Sequence, residues 1–374
     1  MQPASPLPTS LEPGDSLPGF LLKDSLVRPV GLPRDLSGKA VVLLFFPSYW
    51  APGVQQVLKG FAEHGAALTE RADLYAITGD SLEKNASAAA ACQAPVTFLS
   101  DADGQVTQLY GLPRPAAGQA AVFGVSHVSS FVADSNARLL AIQRQVDGSD
   151  HAAELLALLK GQDGEAQEMR GFAPVLMVPR AFSPAFCKTL IESYETGETR
   201  VTGSLRDYPD GRQVHHIDRS IKSRRDHILE GALAEEVRQF LRRRVVPEIH
   251  KAFSFQVTHF EPFKVACYTA TEDGHFSIHR DNLTPAGAHR RFAMSLNLNS
   301  EDYLGGTLRF PEYGPGLYKP ATGEAVVFSC SLLHEAMPVT EGTRYVLLSF
   351  LYGPEDEKLR LAGKQQRQTQ VVGP

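Results

Sequence analysis

The stretch Gly274-His275-Phe276-Ser277-Ile278-His279-Arg280-Asp281-Asn282 carries two metal-binding side chains one residue apart. On a strand the side-chain period is two, so His279 and Asp281 would share a face and form a two-ligand pincer. A second imidazole, His334, follows the apolar, strand-like run Glu324-Ala325-Val326-Val327-Phe328-Ser329. Two histidines and one carboxylate make up a facial triad, which leaves the opposite face of an Fe(II) ion open to a co-substrate and O2. A closed structural zinc site would take four protein ligands instead. Arg344 comes ten residues after His334, within Gly342-Thr343-Arg344-Tyr345-Val346-Leu347-Leu348-Ser349-Phe350. Its guanidinium fork can grip a carboxylate bidentately.

Ligands this far apart in the chain need a sheet to bring them together. After Phe253, strand-like segments follow closely: Phe263 to Tyr268, Gly274 to His279, Phe292 to Leu298, Gly306 to Phe310, Ala325 to Ser329 and Tyr345 to Leu351. Their spacing, with Gly-Gly and Pro-x-Gly turns between them, predicts a double-stranded β-helix, a jelly-roll barrel. Ser295 and Asn297, two apart, would face one way and are candidate pocket-lining groups. Ahead of the barrel stand a short strand, Val175 to Val178, and a helix with Ser183 as N-cap and Pro184 at its first position. The 3–4 spacing of Ile228, Leu229, Leu233, Val237, Phe240, Leu241, Val245 and Ile249 predicts a second helix from about Asp226 to Phe253, kinked or stopped at Pro247. Between these helices Gly203 to His216 is rich in turn formers and reads as a flexible loop near the barrel mouth, either a solvated surface loop or a substrate lid. His215 and His216 are adjacent, would face opposite ways on a strand, and have no carboxylate spaced for them.

The first half has a different pattern. Val41-Val42-Leu43-Leu44-Phe45-Phe46, bounded by Gly38 and Pro47, reads as a strand buried on both faces. Helical spacing over Gln55 to Arg71, a strand at Leu74 to Thr78, an Ala-rich helix from Leu82 to Cys92, a strand from Val96, a hairpin over Phe131 to Gln143 and a helix from Asp150 to Lys160 predict an α/β sandwich. Residues 1–13 read as a loose N-terminus, 14–160 as one domain, 161–171 as a polar linker and 172–374 as the second domain. At 374 residues and 43% hydrophobic, the chain can fill two cores. A net charge of −5 gives no global reason to expect nucleic acid or an anionic membrane. The four cysteines, Cys92, Cys187, Cys267 and Cys330, are too scattered for a disulfide scaffold or zinc ribbon and read as reduced core residues. No leader and no membrane-spanning run is apparent in the sequence, so the expected location is cytoplasmic.

Taken together, Tyr268, His279-x-Asp281, Ser295-Leu296-Asn297-Leu298-Asn299, Gly305-Gly306-Thr307-Leu308-Arg309-Phe310, His334 and Arg344 resemble an Fe(II)/2-oxoglutarate-dependent dioxygenase of the prolyl 4-hydroxylase type, over about Phe172 to Gly353. The resemblance implies iron on His279, Asp281 and His334, and 2-oxoglutarate with its far carboxylate on Arg344. It makes Tyr268 a second donor to that carboxylate and Asn297 a cofactor-pocket residue. It implies O2 as oxidant, ascorbate as an accompanying reductant, and succinate, CO2 and a hydroxylated carbon as products. A peptidyl or amino-acid-like substrate is favoured; a small metabolite, or a non-enzymatic scaffold, is the alternative. Arg206, Arg212, Arg219, Lys222, Arg224 and Arg225, beside Tyr208 and His215, would make a cationic lid attracting an acidic substrate.

The first half resembles a peroxiredoxin of the thioredoxin-like fold, through Leu11-Glu12-Pro13-Gly14-Asp15, Leu36-Ser37-Gly38-Lys39, Phe46-Pro47 and Leu99-Ser100-Asp101-Ala102-Asp103-Gly104. That family's active loop is Pro-x-x-x-Thr-x-x-Cys; here it reads Pro47-Ser48-Tyr49-Trp50-Ala51-Pro52-Gly53-Val54. Threonine is replaced by Ala51, the peroxidatic cysteine by Val54, and the family's arginine by a residue near Val128. Without a thiolate at position 54 there is no nucleophile for peroxide, and Cys92 would have nothing to resolve. The expected role is a docking or homo-oligomerisation module.

Overall fold

In the computed structural model the described residues are 10–113, 128–162, 171–207 and 213–361; for 204–207 and 213–216 only the backbone is described. The chain divides into two compact units, Met1–Gln167 and Glu168–Pro374.

The first unit contains β1 (Phe20–Asp24), β2 (Pro29–Leu32), β3 (Ala40–Phe46), α1 (Val54–Glu63), α2 (Gly65–Arg71), β4 (Ala72–Thr78), α3 (Leu82–Ala91), β5 (Thr97–Ser100), α4 (Gln105–Leu109), β6 (Val128–Ala133), β7 (Leu139–Val146) and α5 (His151–Lys160). Its sheet runs β2-β1-β5-β4-β3-β6-β7. β3 pairs in parallel with β4, and β4 with β5, while β6 and β7 return antiparallel. The unbroken apolar run of β3 is explained by its central place: Val42 and Leu44 enter the core on one face, Val41, Leu43 and Phe45 that on the other. The helix expected over Gln55 to Arg71 is two helices, broken at His64. At the break the ring of Pro95 stands 3.0 Å from where a Cβ on Gly65 would be, so any larger residue there would press on Pro95.

The second unit contains β8 (Leu176–Val178), α6 (Pro184–Thr196), β9 (Arg200–Val201), β10 (Ser204–Asp207), β11 (Gln213–His216), β12 (Lys222–Ser223), β13 (Arg225–Ile228), α7 (Gly231–Arg244), α8 (Val246–Phe253) and β14 (His259–Phe260). It continues with β15 (Lys264–Thr269), β16 (His275–His279), β17 (Phe292–Asn297), β18 (Tyr303–Gly305), β19 (Leu308–Arg309), β20 (Leu317–Tyr318), β21 (Ala325–Ser329), β22 (His334–Ala336) and β23 (Val339–Tyr352). The larger sheet runs β8-β21-β17-β23-β15-β13-β9 and the smaller β12-β16-β22-β19-β20. One face of the larger sheet buries Leu296, Val327 and Leu347 with Leu190 of α6 and Val237 and Leu241 of α7. Ala266, Tyr268, Val326 and Val346 of that sheet share a second core with Leu308 and Ala336 of the smaller one.

α6 starts as its sequence suggests: Ser183 accepts a hydrogen bond from the Phe186 N–H at 3.2 Å, with Pro184 at the first position. Two expectations need correction. The apolar spacing that suggested helix from Asp226 belongs, at Arg225–Ile228, to β13, which pairs with β15; α7 begins only at Gly231, and α8 starts anew at Val246, beside Pro247. Gly203 to His216, read as a flexible loop, holds a two-stranded hairpin of β10 and β11; Tyr208 and Arg212 lie outside the described residues.

Candidate metal centre and cavity

His279 ends β16 and His334 begins β22, and the two are register partners in the smaller sheet. Asp281 lies just past β16, its N–H donating to the Cys330 carbonyl at 3.0 Å. Its Oδ1 is 3.5 Å from His279 Nε2 and its Oδ2 3.4 Å from His334 Nε2. One ligand atom from each of the three residues lies within 4.8 Å of the others. Two donors at right angles, each ~2.0–2.2 Å from one ion, are about 3 Å apart, a little closer than the 3.4 and 3.5 Å between Asp281 and the two imidazoles. In each imidazole Nδ1 faces a main-chain carbonyl, that of Ser277 at 2.7 Å and that of Leu332 at 3.0 Å. An N–H on Nδ1 donating to those carbonyls leaves both Nε2 lone pairs free as ligands. The Phe276 ring stacks on His279 at 3.6 Å between centroids, and Phe328 meets His334 edge-on at 4.7 Å. Burial raises the Asp281 carboxyl pKa, but the His279 hydrogen bond and the His334 and His279 charges outweigh it, bringing it to about 2. Burial lowers that of His334. The site therefore favours an ionised carboxylate at Asp281, and burial works toward the neutral imidazole at His334, the forms a divalent ion binds.

Beside these groups lies a cavity walled by Tyr268, Phe276, Ser295, Leu308, Phe328, Arg344 and Leu348, with Lys264 and Arg224 also on its surface. Arg344 is 2% exposed, and no carboxylate partners it among the described residues. One terminal nitrogen donates to Ser295 Oγ and Asn297 Oδ1, both at 3.2 Å; its Nε has no partner. A buried guanidinium held only by neutral groups is an anion site waiting for its anion. Asn297 does not line the cavity. It stands behind Arg344, its amide donating to Ser300 Oγ, Tyr303 Oη and the Pro320 carbonyl, and so orients the guanidinium rather than meeting a ligand. Gly306, at φ +58, lets the arginine pass: a Cβ there would sit 3.0 Å from Arg344 Cδ.

The Tyr268 hydroxyl accepts from Arg224 at 2.9 Å, which leaves its own proton free for the cavity. Arg224 and Lys222 are 9% and 7% exposed, and Arg225 donates to Thr199 from within β13. The expected cationic lid is thus corrected for these three: Lys222 and Arg225 belong to β12 and β13, which pair with β16 and β15, and Arg224 is the single residue joining those strands. Arg219 lies 3.8 Å from Glu272; the side chains of Arg206 and His215 are not described.

Two groups at the site escaped sequence reasoning, one behind the ligands and one on the cavity wall. Arg290 donates to the main-chain carbonyl of Asp281 at 3.2 Å and doubly to Glu261, at 2.6 and 3.0 Å, tying the ligand segment to the larger sheet's edge. Burial raises the Glu261 pKa, yet hydrogen bonds from His289 and Arg290 bring it down to about 2. Lys264, at the start of β15, is the other; nothing in its neighbours along the chain marks it.

In the first unit, Val54 opens α1 with no exposed surface, so the thiol position of the resembled family holds no reactive group; Val128, near that family's arginine, is 1% exposed on β6. All four cysteines are unpaired. Burial raises the pKa of Cys92 and pushes that of Cys187 to about 12.

Residues 13–142 match the AhpC/TSA family and residues 263–352 the 2OG-Fe(II) oxygenase superfamily. The chloroplastic peroxiredoxin Q of Sedum lineare is 30% identical over 149 residues, 39% of this chain and 77% of that protein. Procollagen-lysine,2-oxoglutarate 5-dioxygenase 1 of Mus musculus is 29% identical over 177 residues, 46% of this chain but only 23% of that protein. A solved prolyl hydroxylase of Trichoplax adhaerens, in complex with a hypoxia inducible factor oxygen degradation domain peptide fragment, covers 50% of this chain and 86% of its own at 18% identity and a TM-score of 0.38.

Proposed function

Because the chain belongs to the AhpC/TSA peroxiredoxin family through its first unit, and is a 2-oxoglutarate dioxygenase through its second, we propose that it hydroxylates an unactivated C–H bond of a peptidyl or amino-acid-like substrate. The observation that carries this reading is the pairing of His279, Asp281 and His334 with a buried, carboxylate-free Arg344 across one cavity. The order β21-β17-β23-β15 facing β16-β22-β19-β20 supports reading the unit as a double-stranded β-helix.

His279, Asp281 and His334 would hold Fe(II), which with 2-oxoglutarate and O2 supplies the oxidising power. The protein's residues do the positioning. Main-chain carbonyls fix the imidazole tautomers, and Arg290 fixes the Asp281 segment. Arg344 receives the far carboxylate of 2-oxoglutarate, braced by Ser295 and Asn297, with the Tyr268 hydroxyl as a further donor. Phe276, Phe328 and Leu308 keep water from the reacting centre.

The first unit would serve as a docking or oligomerisation module, since Val54 and Ala51 leave it no peroxide chemistry. Removing residues 1–160 should then change turnover or oligomeric state; if neither changes, the module reading fails. Four unpaired cysteines favour a reducing, cytoplasmic setting, and no helix among the described residues is long and apolar enough to cross a membrane. The substrate is found by incubating the iron-loaded protein and 2-oxoglutarate with lysate fractions and searching for a gain of one oxygen. A gain confined to peptides or amino acids supports the reading, and a gain confined to other metabolites replaces its substrate class.

A further inference from the structure

Lys264 sits within the larger sheet, paired to Ile228 on one side and Leu348 on the other. Tyr268 lies four residues further along β15, so the two side chains share a face, and both line the cavity. Four residues of strand span about 13 Å, and Tyr268 is the register partner of Arg344. The cavity wall therefore carries one cation at the Arg344 end and another four residues away.

Among the described residues no hydrogen bond or ion pair engages the Lys264 ammonium. The two carboxylates nearest in charge are already committed. Asp226 is held by Arg224 at 2.8 and 3.0 Å. Glu261 is held by Arg290, and lies 3.1 Å from His289. Burial, with the Arg224 charge next, lowers the Lys264 pKa, so the environment disfavours the cation it surrounds. Leu348 and Phe350 of the same wall show that the position could have been apolar. Lys264 is half-buried; an ammonium held without a partner beside apolar walls destabilises a fold, and it is compensated when an anion arrives. A diacid seated on Arg344 neutralises that end of the cavity and leaves the Lys264 end charged.

We propose that Lys264, with Arg224 beside it, seats a carboxylate of the molecule being hydroxylated, so the substrate is an acid: a free amino acid, or a peptide presenting an aspartate or glutamate side chain. This rests on the hydroxylase reading and narrows its substrate class.

The test uses the full chain loaded with Mn(II) and 2-oxoglutarate and follows Tm and binding of defined probes. One probe is a pool of free L-amino acids against the same pool with every carboxylate amidated. The other is a capped peptide with a central Asp or Glu against its Asn or Gln counterpart. One acidic probe should bind and its amide should not, and which probe binds distinguishes the two sources. Lys264→Met should weaken that binding roughly tenfold or more, while 2-oxoglutarate affinity stays unchanged. Without ligands, Lys264→Met should raise Tm, because an unpartnered cation has been removed. Equal binding of acid and amide, no binding of either acid, acid binding that survives Lys264→Met, or a ligand-free Tm lowered by Lys264→Met would each overturn the proposal. Failure of wild-type protein to bind 2-oxoglutarate would instead remove the hydroxylase reading beneath it.

Discussion

Replacing Arg344 by methionine separates the anion site from the metal site. The guanidinium is 2% exposed, its hydrogen bonds among the described residues run to Ser295 and Asn297 at 3.2 Å, and its Nε has no partner there. A carboxylate docking there gains a desolvated, charge-assisted contact, and truncating one member of such a pair costs about 2–5 kcal/mol. At 1.4 kcal/mol per decade, the dissociation constant for 2-oxoglutarate should rise roughly thirty-fold to several thousand-fold. Arg344→Lys should fall between, since it keeps the charge but loses the fork. Gly306→Ala should act in the same direction, because its Cβ would press on Arg344 Cδ from a backbone at φ +58. The assay is anaerobic titration of the Fe(II)-loaded protein with 2-oxoglutarate, with iron content measured in parallel. Iron lost from Arg344→Met while its 2-oxoglutarate affinity remained that of wild type would refute the assignment.

Other consequences concern the ligands, pH and the first unit. His279→Ala or His334→Ala should each remove most bound iron, whereas His275→Ala, whose ring faces the Asp273 and Ser220 carbonyls, should not; metal analysis decides. Glu261 is held near pH 2 against an ordinary value of 4.5, and Asp281 near 2 against 3.8. A carboxyl lowered on folding stabilises above its unfolded pKa and loses that contribution as pH falls through its folded one. Ligand-free stability should therefore drop between about pH 4.5 and 2, less steeply in Glu261→Gln, and identical slopes would contradict the Arg290–Glu261 clamp. Peroxide should be consumed at no more than background rate with a thiol reductant, and turnover abolished by Cys92→Ser would show that this cysteine had been misjudged.

The features legible in the sequence were those with local signatures. A two-residue spacing marked His279 and Asp281 as a pair, although Asp281 lies past the end of β16 and not on it; an unbroken apolar run marked β3, and Ser183-Pro184 marked the start of α6. What stayed hidden depends on contacts far apart in the chain. Arg290 meets Glu261 across 29 residues, and Arg344 meets Asn297 across 47. β13 imitated helix because Ile228 and Leu229 continue the spacing of Leu233 and Val237, and pairing with β15 overrode it. Arg224 and Lys222 looked like surface charge because sequence alone does not reveal which strands they join.

The most direct measurement follows 2-oxoglutarate and succinate when O2 is admitted to the Fe(II)-loaded, full-length protein in the presence of ascorbate. The wild-type chain is expected to convert 2-oxoglutarate to succinate and CO2, and His279→Ala and Asp281→Ala to convert none above background. Succinate formed equally by wild type and both variants, or not formed by iron-replete wild type, would contradict a dioxygenase built on His279, Asp281 and His334.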